Sequence, residues 1–221
     1  MLKLVRFSRA DLLRYVVRQL EHFFPDDGNA DATEVLRPHM DVALDRLAHC
    51  IGAVRPWKPG EFDHLHSSQY TIFLYYLSNT VWKATGNSSL CAKLFGLNKA
   101  LNGIDLFYEI DMPPVFFICH SVGIVFAKAT YGNYLVAYQN STVGKNHGVA
   151  PVLGEGVVMY PNTAIIGRCE VGDGTVLAQG VSLINTSTPG HCTVYAGQGG
   201  SVVCKPAGRN VLADIFREKH S

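Results

Sequence analysis

Two adjacent residues, Cys119 and His120, are the first candidates for chemistry in this chain. Histidine takes up or releases a proton near neutral pH and can act as a general base, although a lone histidine is more often structural. A cysteine beside it can become a nucleophile if its thiolate is stabilised. Because adjacent residues of a strand point to opposite faces, the two side chains would not readily meet, so we do not expect covalent catalysis.

A second group, Asp63, His64 and His66, contains residue types that bind metal ions. Further ligands at a suitable spacing are not evident, so we predict no metal site. The glycine-rich segment Gly197–Ser201 is not a phosphate-binding loop either, because no Gly-Lys-Ser/Thr follows at the required spacing.

The composition argues against several classes of function. Over 221 residues the net charge is +1 and the basic residues are scattered, so no nucleic-acid surface is expected. The longest apolar stretch, within residues 115–127, is too short and too interrupted to span a bilayer, and residues 1–11 lack the apolar run of a signal peptide. With 48% hydrophobic and 17% charged residues, the chain can bury a substantial core and can also hide surface in an oligomer.

The six cysteines show no CxxC pair and no ligand-like spacing with histidines. This usage is typical of free thiols, mostly buried, in a reducing compartment. We therefore expect a cytoplasmic protein.

The elements that must position the chemical residues follow a six-residue period between Leu153 and Asn185. A branched or long apolar residue returns every six positions: Leu153, Met159, Ile165, Val171, Leu177 and Leu183. A small or β-branched residue follows each of them by four positions: Val157, Thr163, Cys169, Thr175, Val181 and Ser187. This period is typical of a parallel β-helix with three short strands per coil. An α-helix would need returns at three and four residues, and an antiparallel sandwich would show a period of two.

Residues 1–104 show helical spacing instead, and we predict an α-helical domain there. Ser8 and Asp11 form a capping box at its first helix. The segment Ser67–Ala84 is apolar nearly all round, so we expect it to be buried against its neighbours or another subunit.

Residues 105–206 are predicted to form the β-helix, which makes the fold class α+β. One residue is missing from the repeat within 126–136, and Gly144–Pro151 is expected to leave the coil as a loop. Residues 207–221 form a tail, whose predicted helix Asn210–Lys219 could cap the open end of the solenoid.

The segments HSVGIV, AYQNSTVG and LGEGVVMYPNTAIIG, behind a helical domain, resemble the bacterial serine O-acetyltransferases and the wider hexapeptide-repeat acyltransferases. The resemblance covers roughly residues 60–206 and is strongest over 118–185. It implies a left-handed β-helix, a homotrimer and acetyl-CoA bound as co-substrate in a cleft between neighbouring coils, with no permanently bound cofactor.

The resemblance also implies a catalytic pair. The family's base is a histidine in a His-x-x-Gly-Ile/Val-Val context, which His120 matches in the segment that runs to Val125. It would take the proton of a hydroxyl as the oxygen attacks the thioester. An acidic residue stands fifteen positions earlier in the family, where this chain has Asp105. Asp105 would orient the base or contact the acceptor; the alternative is a solvated aspartate at the start of the first coil.

Further positions of the family's cleft correspond to Gln139, Thr142 and Gly144, where backbone N–H groups could hold the thioester oxygen. The family binds the pantetheine and nucleotide end of CoA in the last coil, which here contains Gly199 and Lys205. These five residues are the candidates for CoA binding.

Two positions depart from the family pattern. Cys119 stands where the family has an aspartate, and Ala150 stands where it has a second histidine before the proline that re-enters the coil. His147, on the same loop as Ala150, could replace that histidine. Both positions recognise the amino-acid acceptor in the family, so their loss weakens serine as the acceptor more than it weakens acetyl transfer.

We therefore expect an acetyl-CoA-dependent O-acetyltransferase that acts on serine or a serine-like acceptor. Its acceptor site would contain Cys119 and His147, together with Asp63 and His66 from the helical domain of an adjacent subunit. The assembly would be a trimer or a dimer of trimers. The alternatives are a sugar or nucleotide-sugar O- or N-acetyltransferase of surface-polysaccharide biosynthesis, with a hydroxyl- or amine-bearing acceptor, and an inactive β-helix binding protein. His120 in its glycine context argues against the latter.

Overall fold

The computed structural model describes residues 2–26 and 31–217, and the first part of this chain is helical. The helices are α1 (Arg9–Phe23), α2 (Ala32–Ala53), α3 (Ser67–Thr85) and α4 (Ser88–Asn102), and strands β1 (Lys3–Leu4) and β2 (Glu61–Phe62) form a short parallel pair. The prediction of an N-terminal helical region is confirmed. Within the described ranges, no helix combines the length and apolar character needed to cross a bilayer.

The sequence patterns of two helices have clear structural counterparts. The Ser8 hydroxyl accepts the Asp11 N–H at 3.2 Å, and the Asp11 carboxylate accepts the Ser8 N–H at 2.9 Å, which is the predicted capping box of α1. The apolar α3 is buried between α2 and α4 within one protomer. Its burial therefore needs no second subunit.

Helix α3 also covers the beginning of the strand region. The rings of Tyr75 and Tyr76 pack edge-on against Phe116, with centroids 6.0 and 5.8 Å apart. The Tyr75 hydroxyl donates to the carbonyl oxygen of Ile110, and the Cys50 thiol of α2 donates to that of Phe116 at 3.1 Å. The helices thus close the N-terminal end of the strand region.

Residues 105–194 form a parallel β-helix of about five coils. Its strands are β3 (Asp105–Leu106), β4 (Phe116–Cys119), β5 (Val125–Phe126), β6 (Thr130–Tyr131), β7 (Leu135–Tyr138), β8 (Thr142–Gly144), β9 (Val152–Leu153), β10 (Val158–Met159), β11 (Ala164–Ile166), β12 (Glu170–Val171), β13 (Val176–Leu177), β14 (Ser182–Ile184) and β15 (Cys192–Ala196). Together with β16 (Val202–Pro206), which adds to β15, they build a six-stranded, a five-stranded and a three-stranded sheet, one for each side of the coil.

The six-residue period describes the interior of these coils. Val158 pairs with Val176 and Ala164 with Ser182, which are offsets of 18 residues or three hexapeptides. The six apolar residues predicted to point inward are all at most 3% exposed: Leu153, Met159, Ile165, Val171, Leu177 and Leu183. The predicted repeat is therefore confirmed.

One of the small inward positions is predicted wrongly. Ser187 is exposed, and Thr188 is buried in its place, with its hydroxyl 2.9 Å from that of Thr175. Val171 pairs with Thr188 at an offset of 17, so this coil is one residue shorter than 18 and the frame shifts. A strict six-residue count cannot detect such a deletion when polar residues flank it.

The chain changes sheets at three corners, which we number by their order along a coil. The first corner leads from the six-stranded to the five-stranded sheet and comprises residues 120–124, 139–141, 160–163 and 178–181. The second corner leads to the three-stranded sheet and comprises residues 127–129, 145–151, 167–169 and 185–187. The third corner returns to the six-stranded sheet and includes residues 132–134, 154–157 and 172–175.

The two irregularities predicted for the repeat are confirmed. Phe126 pairs with Val143 at an offset of 17, because one residue is missing between them. Val143 pairs with Ile165 at an offset of 22, because the second corner contains the predicted inserted loop. Asn146 and Val149 form an antiparallel bridge in that loop, which makes it a small hairpin.

The chain beyond the last coil does not continue the solenoid, and here two predictions are wrong. Strand β16 (Val202–Pro206) returns antiparallel to β15, so Gly197–Ser201 is the tip of a hairpin and not part of a coil. Helix α5 (Leu212–Ile215) does not cap the open end, because Leu212 packs over Gly156 at the third corner. Residues 218 and 219 of the predicted helix lie outside the described residues.

Arg217 explains why the C-terminal segment turns back. Its guanidinium group donates to the carbonyl oxygens of Gly52 and Val54 at 3.0 and 2.6 Å, and to others just beyond α2. These carbonyl groups lack intrahelical partners, and a cation at a helix C-terminus is stabilised by the helix dipole. Phe216 adds a bridge to Val54 and a ring contact with Tyr134 at 5.1 Å.

Candidate functional site

His120 lies on an enlarged first corner. Before the corner, Phe116 pairs with Leu135 at an offset of 19; after it, Val125 pairs with Thr142 at an offset of 17. The corner of the first coil is therefore two residues longer than that of the next coil. His120 follows directly on β4, and its side chain is exposed.

The backbone of His120 is unusual even within this fold. It has a φ of 61°, a region that costs a residue with a Cβ about 1–3 kcal/mol and that is enriched at active sites. Other non-glycine residues with positive φ lie in columns that repeat at each corner, Tyr134, Asn140, Asn162, Asn185 and His191, or at the tip of the inserted hairpin, His147. Among the described non-glycine residues, only His120 has this conformation outside the columns and the hairpin.

Neighbouring residues hold this corner in place. The Ser121 hydroxyl is buried and donates to the Asn102 carbonyl at the end of α4, at 2.6 Å. The Gly123 N–H donates to the Gly103 carbonyl at 2.9 Å. A Cβ on Gly123 would lie 2.1 Å from the side-chain oxygen of Asn140, so any larger residue requires Asn140 to shift. The imidazole of His120 itself has no hydrogen-bond partner in residues 2–26 and 31–217, and it is free to meet a substrate.

Asp105 lies on the outer side of the five-stranded sheet, where it pairs with Val125 just past the His120 corner. Its inward neighbour Leu106 is buried, which directs Asp105 outward. The carboxylate accepts the ammonium group of Lys99 at 2.7 Å, and both side chains are partly exposed. A pair this exposed contributes about 0–1 kcal/mol, so Asp105 can exchange Lys99 for another partner at little cost.

Cys119 is half-buried on the outer side of the six-stranded sheet and pairs with Tyr138. Burial raises the pKa of its thiol above the usual value, so the nucleophilic thiolate is disfavoured. The environment of Cys119 therefore opposes covalent catalysis.

Gln139 lies at the first corner of the second coil, directly after Tyr138. Its side-chain oxygen is buried and has no hydrogen-bond partner within the described ranges. Such a group costs about 1–3 kcal/mol unless a donor is supplied. Thr142 lies on the outer side of β8, one coil beyond Val125.

An oxyanion-binding role is expected for the backbone N–H of Thr142, but this group is already hydrogen-bonded, as is that of the nearby Asn140. The Asn140 N–H donates to the carbonyl of Val122 at 3.0 Å, and the Thr142 N–H donates to that of Thr163 at 2.9 Å. Both donors belong to the hydrogen-bond ladder between coils. They are therefore not available to a substrate.

His147 and Gly144 lie away from His120 in the protomer. Gly144 ends β8 at the second corner, and the exposed His147 stands at the tip of the hairpin there. One side of the coil, about 15–20 Å of extended chain, separates this corner from the first. A single protomer does not bring His147 together with His120.

Asp63 and His66 precede α3 within the same protomer. Hydrogen bonds from the Leu65 N–H and from Arg6 lower the pKa of Asp63, so it stays ionised. His66 contacts Trp57 edge-on at 5.7 Å, and Trp57 contacts Phe117 of β4 at 5.4 Å. His66 thus approaches the Cys119 strand through Trp57.

Gly199 and Lys205 lie on the β15–β16 hairpin. Four strand steps separate β4 from β15 in the six-stranded sheet, which is about 19 Å. Gly199 is exposed at the hairpin tip, with a φ of 64°, and the Lys205 ammonium lies 5.5 Å from the ring centre of Tyr195.

The described residues contain no cluster of three potential metal ligands.

Sequence reasoning missed several residues of this site. Ser121 contacts the end of α4, and Lys99 of α4 contacts Asp105; no local pattern reveals either contact. Tyr138 ends β7 and Tyr160 directly follows β10, so the two occupy equivalent positions in successive coils. They had a detectable signal, because both replace the polar or glycine residues common between the inward positions.

No family model matches the sequence, and no curated protein matches it. Solved structures similar to this chain include serine acetyltransferases. One, in complex with CoA, has a TM-score of 0.68 at 19% identity and covers 88% of this chain and 84% of its own. The enzyme from Vibrio cholerae O1 biovar El Tor has a TM-score of 0.65 at 18% identity, with coverage of 93% and 83%. Isoform 3 from Entamoeba histolytica, in complex with cysteine, has a TM-score of 0.63 at 17% identity, with coverage of 88% and 72%. The chain therefore has the fold of these structures.

Proposed function

We propose that this protein is an acetyl-CoA-dependent O-acetyltransferase and that His120 is its general base. The observation that carries the proposal is the exposed, unpartnered imidazole of His120 on an enlarged corner with a strained backbone. Strain of this kind persists only where the surrounding contacts enforce it, and it is common at active sites. The likeness of the fold to serine acetyltransferases supports the class of reaction.

The chemistry requires one proton to move twice. His120 accepts the proton of the acceptor hydroxyl as its oxygen attacks the thioester carbonyl carbon. The tetrahedral intermediate then collapses, the carbon–sulfur bond breaks, and the imidazolium returns the proton to the CoA sulfur. The products are an acetyl ester and free CoA thiol, and His120 is regenerated.

Asp105 is the proposed positioning residue for this base or a contact for the acceptor. Its carboxylate lies on the five-stranded sheet, next to the His120 corner. Among the described residues, its side-chain hydrogen-bond partner is the exposed Lys99. A positively charged imidazolium or an acceptor group can replace Lys99, because the existing pair is weak.

The CoA arm is proposed to run from the first corner toward the β15–β16 hairpin. The buried oxygen of Gln139 needs a donor, and the amide N–H groups of a pantetheine chain supply one. Thr142, at the start of β8, would line the same groove, whereas Gly144 ends β8 at the second corner and lies away from it. At the far end, Gly199 leaves room for the nucleotide, and the exposed Lys205 can pair with phosphate.

A homotrimer is proposed as the active assembly. The side of the β-helix next to His120 exposes the apolar residues Val122, Val125 and Ile184, at 65%, 41% and 56%. Apolar residues this exposed on one side of a molecule are typical of an interaction surface. A neighbouring subunit on this side would also bring its own His147 hairpin toward His120. Helix residues such as Val42, which is 52% exposed, could pair two trimers.

The acceptor carries a hydroxyl group, and serine or a serine-like molecule is one candidate. The uncharged residues at Cys119 and Ala150 favour a sugar as the second candidate. A cytoplasmic location is proposed from the free cysteines, which suit a reducing compartment.

Two measurements test the proposal. Acetyl-CoA at one hundred times its Kd should raise the free energy of unfolding by about 2.7 kcal/mol. Thiol release from acetyl-CoA should then depend on an added hydroxyl-bearing acceptor. A protein that neither is stabilised by acetyl-CoA nor releases its thiol would refute the proposal and favour a binding protein without this activity. Substitution of Gln139 by Leu should weaken the stabilisation.

A further inference from the structure

A pair of tyrosines lies on the outer side of the six-stranded sheet, next to the His120 corner. The ring centroids of Tyr138 and Tyr160 are 5.2 Å apart, and the ring planes are inclined by 31°. Both side chains are half-buried, so each ring keeps a part of its surface open to solvent. Neither tyrosine side chain lies in the interior of the β-helix.

The register directs these tyrosines outward and places them in line with Cys119. The preceding residues Ala137 and Met159 are buried in the coil interior, so the residues that follow them point outward. Tyr138 pairs with Cys119, the residue before His120. Cys119, Tyr138 and Tyr160 therefore form one row, which we call the tyrosine row, and it leads away from the proposed base.

The tyrosine row has no formal charge. Burial raises the pKa of the Tyr138 hydroxyl, with Cys119 and Tyr160 adding to the effect, and burial also raises that of the Cys119 thiol. Both groups therefore remain neutral. The ion pair of Lys99 with Asp105 lies around the corner on the five-stranded sheet, where the two charges neutralise each other.

This surface suits one class of acceptor better than another. An amino acid carries an ammonium and a carboxylate group, and a neutral aromatic surface offers neither of them an opposite charge. A pyranose ring has an apolar C–H face and hydroxyl groups at its edge. The open surface of an aromatic pair packs against the apolar face, while tyrosine hydroxyls can bond with the polar edge.

We propose that the tyrosine row is the acceptor subsite and that the acceptor is a pyranose sugar, free or as part of a nucleotide sugar. The proposal rests on the acetyl transfer proposed above. The sugar ring packs on Tyr138 and Tyr160 and presents one hydroxyl to His120. The hydroxyl oxygen bonds to the acetyl carbonyl carbon, and the carbon–sulfur bond of the thioester breaks. His120 passes the hydroxyl proton to the CoA sulfur, which leaves as a thiol.

The test measures steady-state thiol release with four acceptors: L-serine, methyl α-glucopyranoside, N-acetylglucosamine and UDP-N-acetylglucosamine. Wild-type protein is compared with Tyr138→Leu and Tyr160→Leu. The matched control is Phe23→Leu, which removes an exposed aromatic ring from α1, far from the site. Mass spectrometry identifies the acetylated product.

We expect at least one pyranoside to have a higher kcat/KM than serine. Each tyrosine substitution should raise the KM for that sugar about tenfold, the equivalent of one aromatic contact. The KM for acetyl-CoA should stay within twofold, and the control should match the wild type. A substitution that merely loosened the fold would change both KM values.

Three results would overturn the inference: a preference for serine over every pyranoside, an unchanged sugar KM in both tyrosine variants, or an equal loss with all acceptors. In each case acetyl-CoA would still be bound and consumed, so the proposed acetyl transfer would stand. Absence of stabilisation by acetyl-CoA would instead remove the proposed function itself.

Discussion

The hydroxyl group of Ser121 donates a 2.6 Å hydrogen bond to the carbonyl oxygen of Asn102 and so joins the His120 corner to the end of α4. Asn102 is the last residue of that helix, where carbonyl groups lack intrahelical partners. One bond therefore satisfies the helix end and fixes the residue next to the proposed base. The helical domain thereby contributes to the geometry of a site on the β-helix.

Substitution of Ser121 by Ala should reduce kcat more than it reduces stability. Loss of the hydrogen bond should lower the free energy of unfolding by about 1 kcal/mol. A small displacement of His120 should lower kcat about five- to tenfold, with the KM for acetyl-CoA unchanged. Steady-state kinetics and urea unfolding measure the two effects, with Ser89→Ala on the exposed surface of α4 as the control. An unchanged kcat would show that the corner does not depend on this bond.

Gly123 and Gly180 allow the space at the corner to be separated from its backbone conformation. Both have positive φ values, 76° and 77°, and both belong to the first corner. A Cβ at Gly180 meets nothing within 4 Å, whereas one at Gly123 overlaps Asn140. Gly180→Ala should cost about 1 kcal/mol from φ strain alone, and Gly123→Ala should cost about 2 kcal/mol more. Equal losses in urea unfolding would mean that Asn140 moves aside freely.

His64 should make the protein less stable in mild acid. Its ring is buried and stacked on Phe7 at 4.0 Å, and burial lowers its pKa below the usual value, against the opposing effect of Asp63. The unfolded chain then binds a proton before the folded protein does. The contribution of His64 to the free energy of unfolding is therefore fully present above about pH 6.5, and it is lost as the pH falls toward the lowered pKa.

The corresponding variant is His64→Phe, which keeps a ring on Phe7 but cannot be protonated. It should lose less stability than the wild type between pH 7 and pH 5 (roughly the range over which histidine titrates). His22→Gln, at an exposed position of α1, should behave like the wild type. Parallel pH profiles for wild type and His64→Phe would contradict this assignment.

Arg217 should be the main anchor of the C-terminal segment. Its guanidinium group bonds with several carbonyl oxygens around the end of α2, so Arg217→Ala should cost about 1.5–3 kcal/mol. Arg217→Lys should recover only part of this, because an ammonium group cannot reproduce the planar fork. Arg209→Ala, which breaks an exposed pair with Asp214, should be nearly neutral. Urea unfolding and the rate of proteolysis near residue 210 would measure the difference.

The interior of the β-helix could be predicted from the sequence because its burial repeats. An inward position returns every six residues, once on each side of the coil, and it is buried each time. The apolar residues from Leu153 to Leu183 therefore give the same signal six times. The 17- and 22-residue offsets at Phe126 and Val143 were also visible, since they interrupt an otherwise regular count. Ser187 shows the limit of this reasoning, because the shortened coil exchanged one polar residue for another.

The remaining features depend on contacts between distant parts of the chain. The docking of Arg217 on α2 joins residues more than 150 positions apart. The return of β16 depends on its pairing with β15. The pairing of Asp105 with Lys99 depends on where α4 ends relative to the first coil. His120 could be singled out by its motif, but its positive φ and enlarged corner appear only when the register of two coils is compared.

The most direct test of the account is thiol release from acetyl-CoA by His120→Ala, compared with wild type and with His191→Ala. His191 is the matched control, because it is also an exposed histidine with positive φ, 46°, but lies on the column of the third corner. The account predicts that His120→Ala lowers kcat at least about 100-fold, the usual effect of losing a general base, while stabilisation by acetyl-CoA is retained and His191→Ala stays active. If His120→Ala instead turns over within a few-fold of wild type, His120 is not the base and the proposed mechanism is wrong.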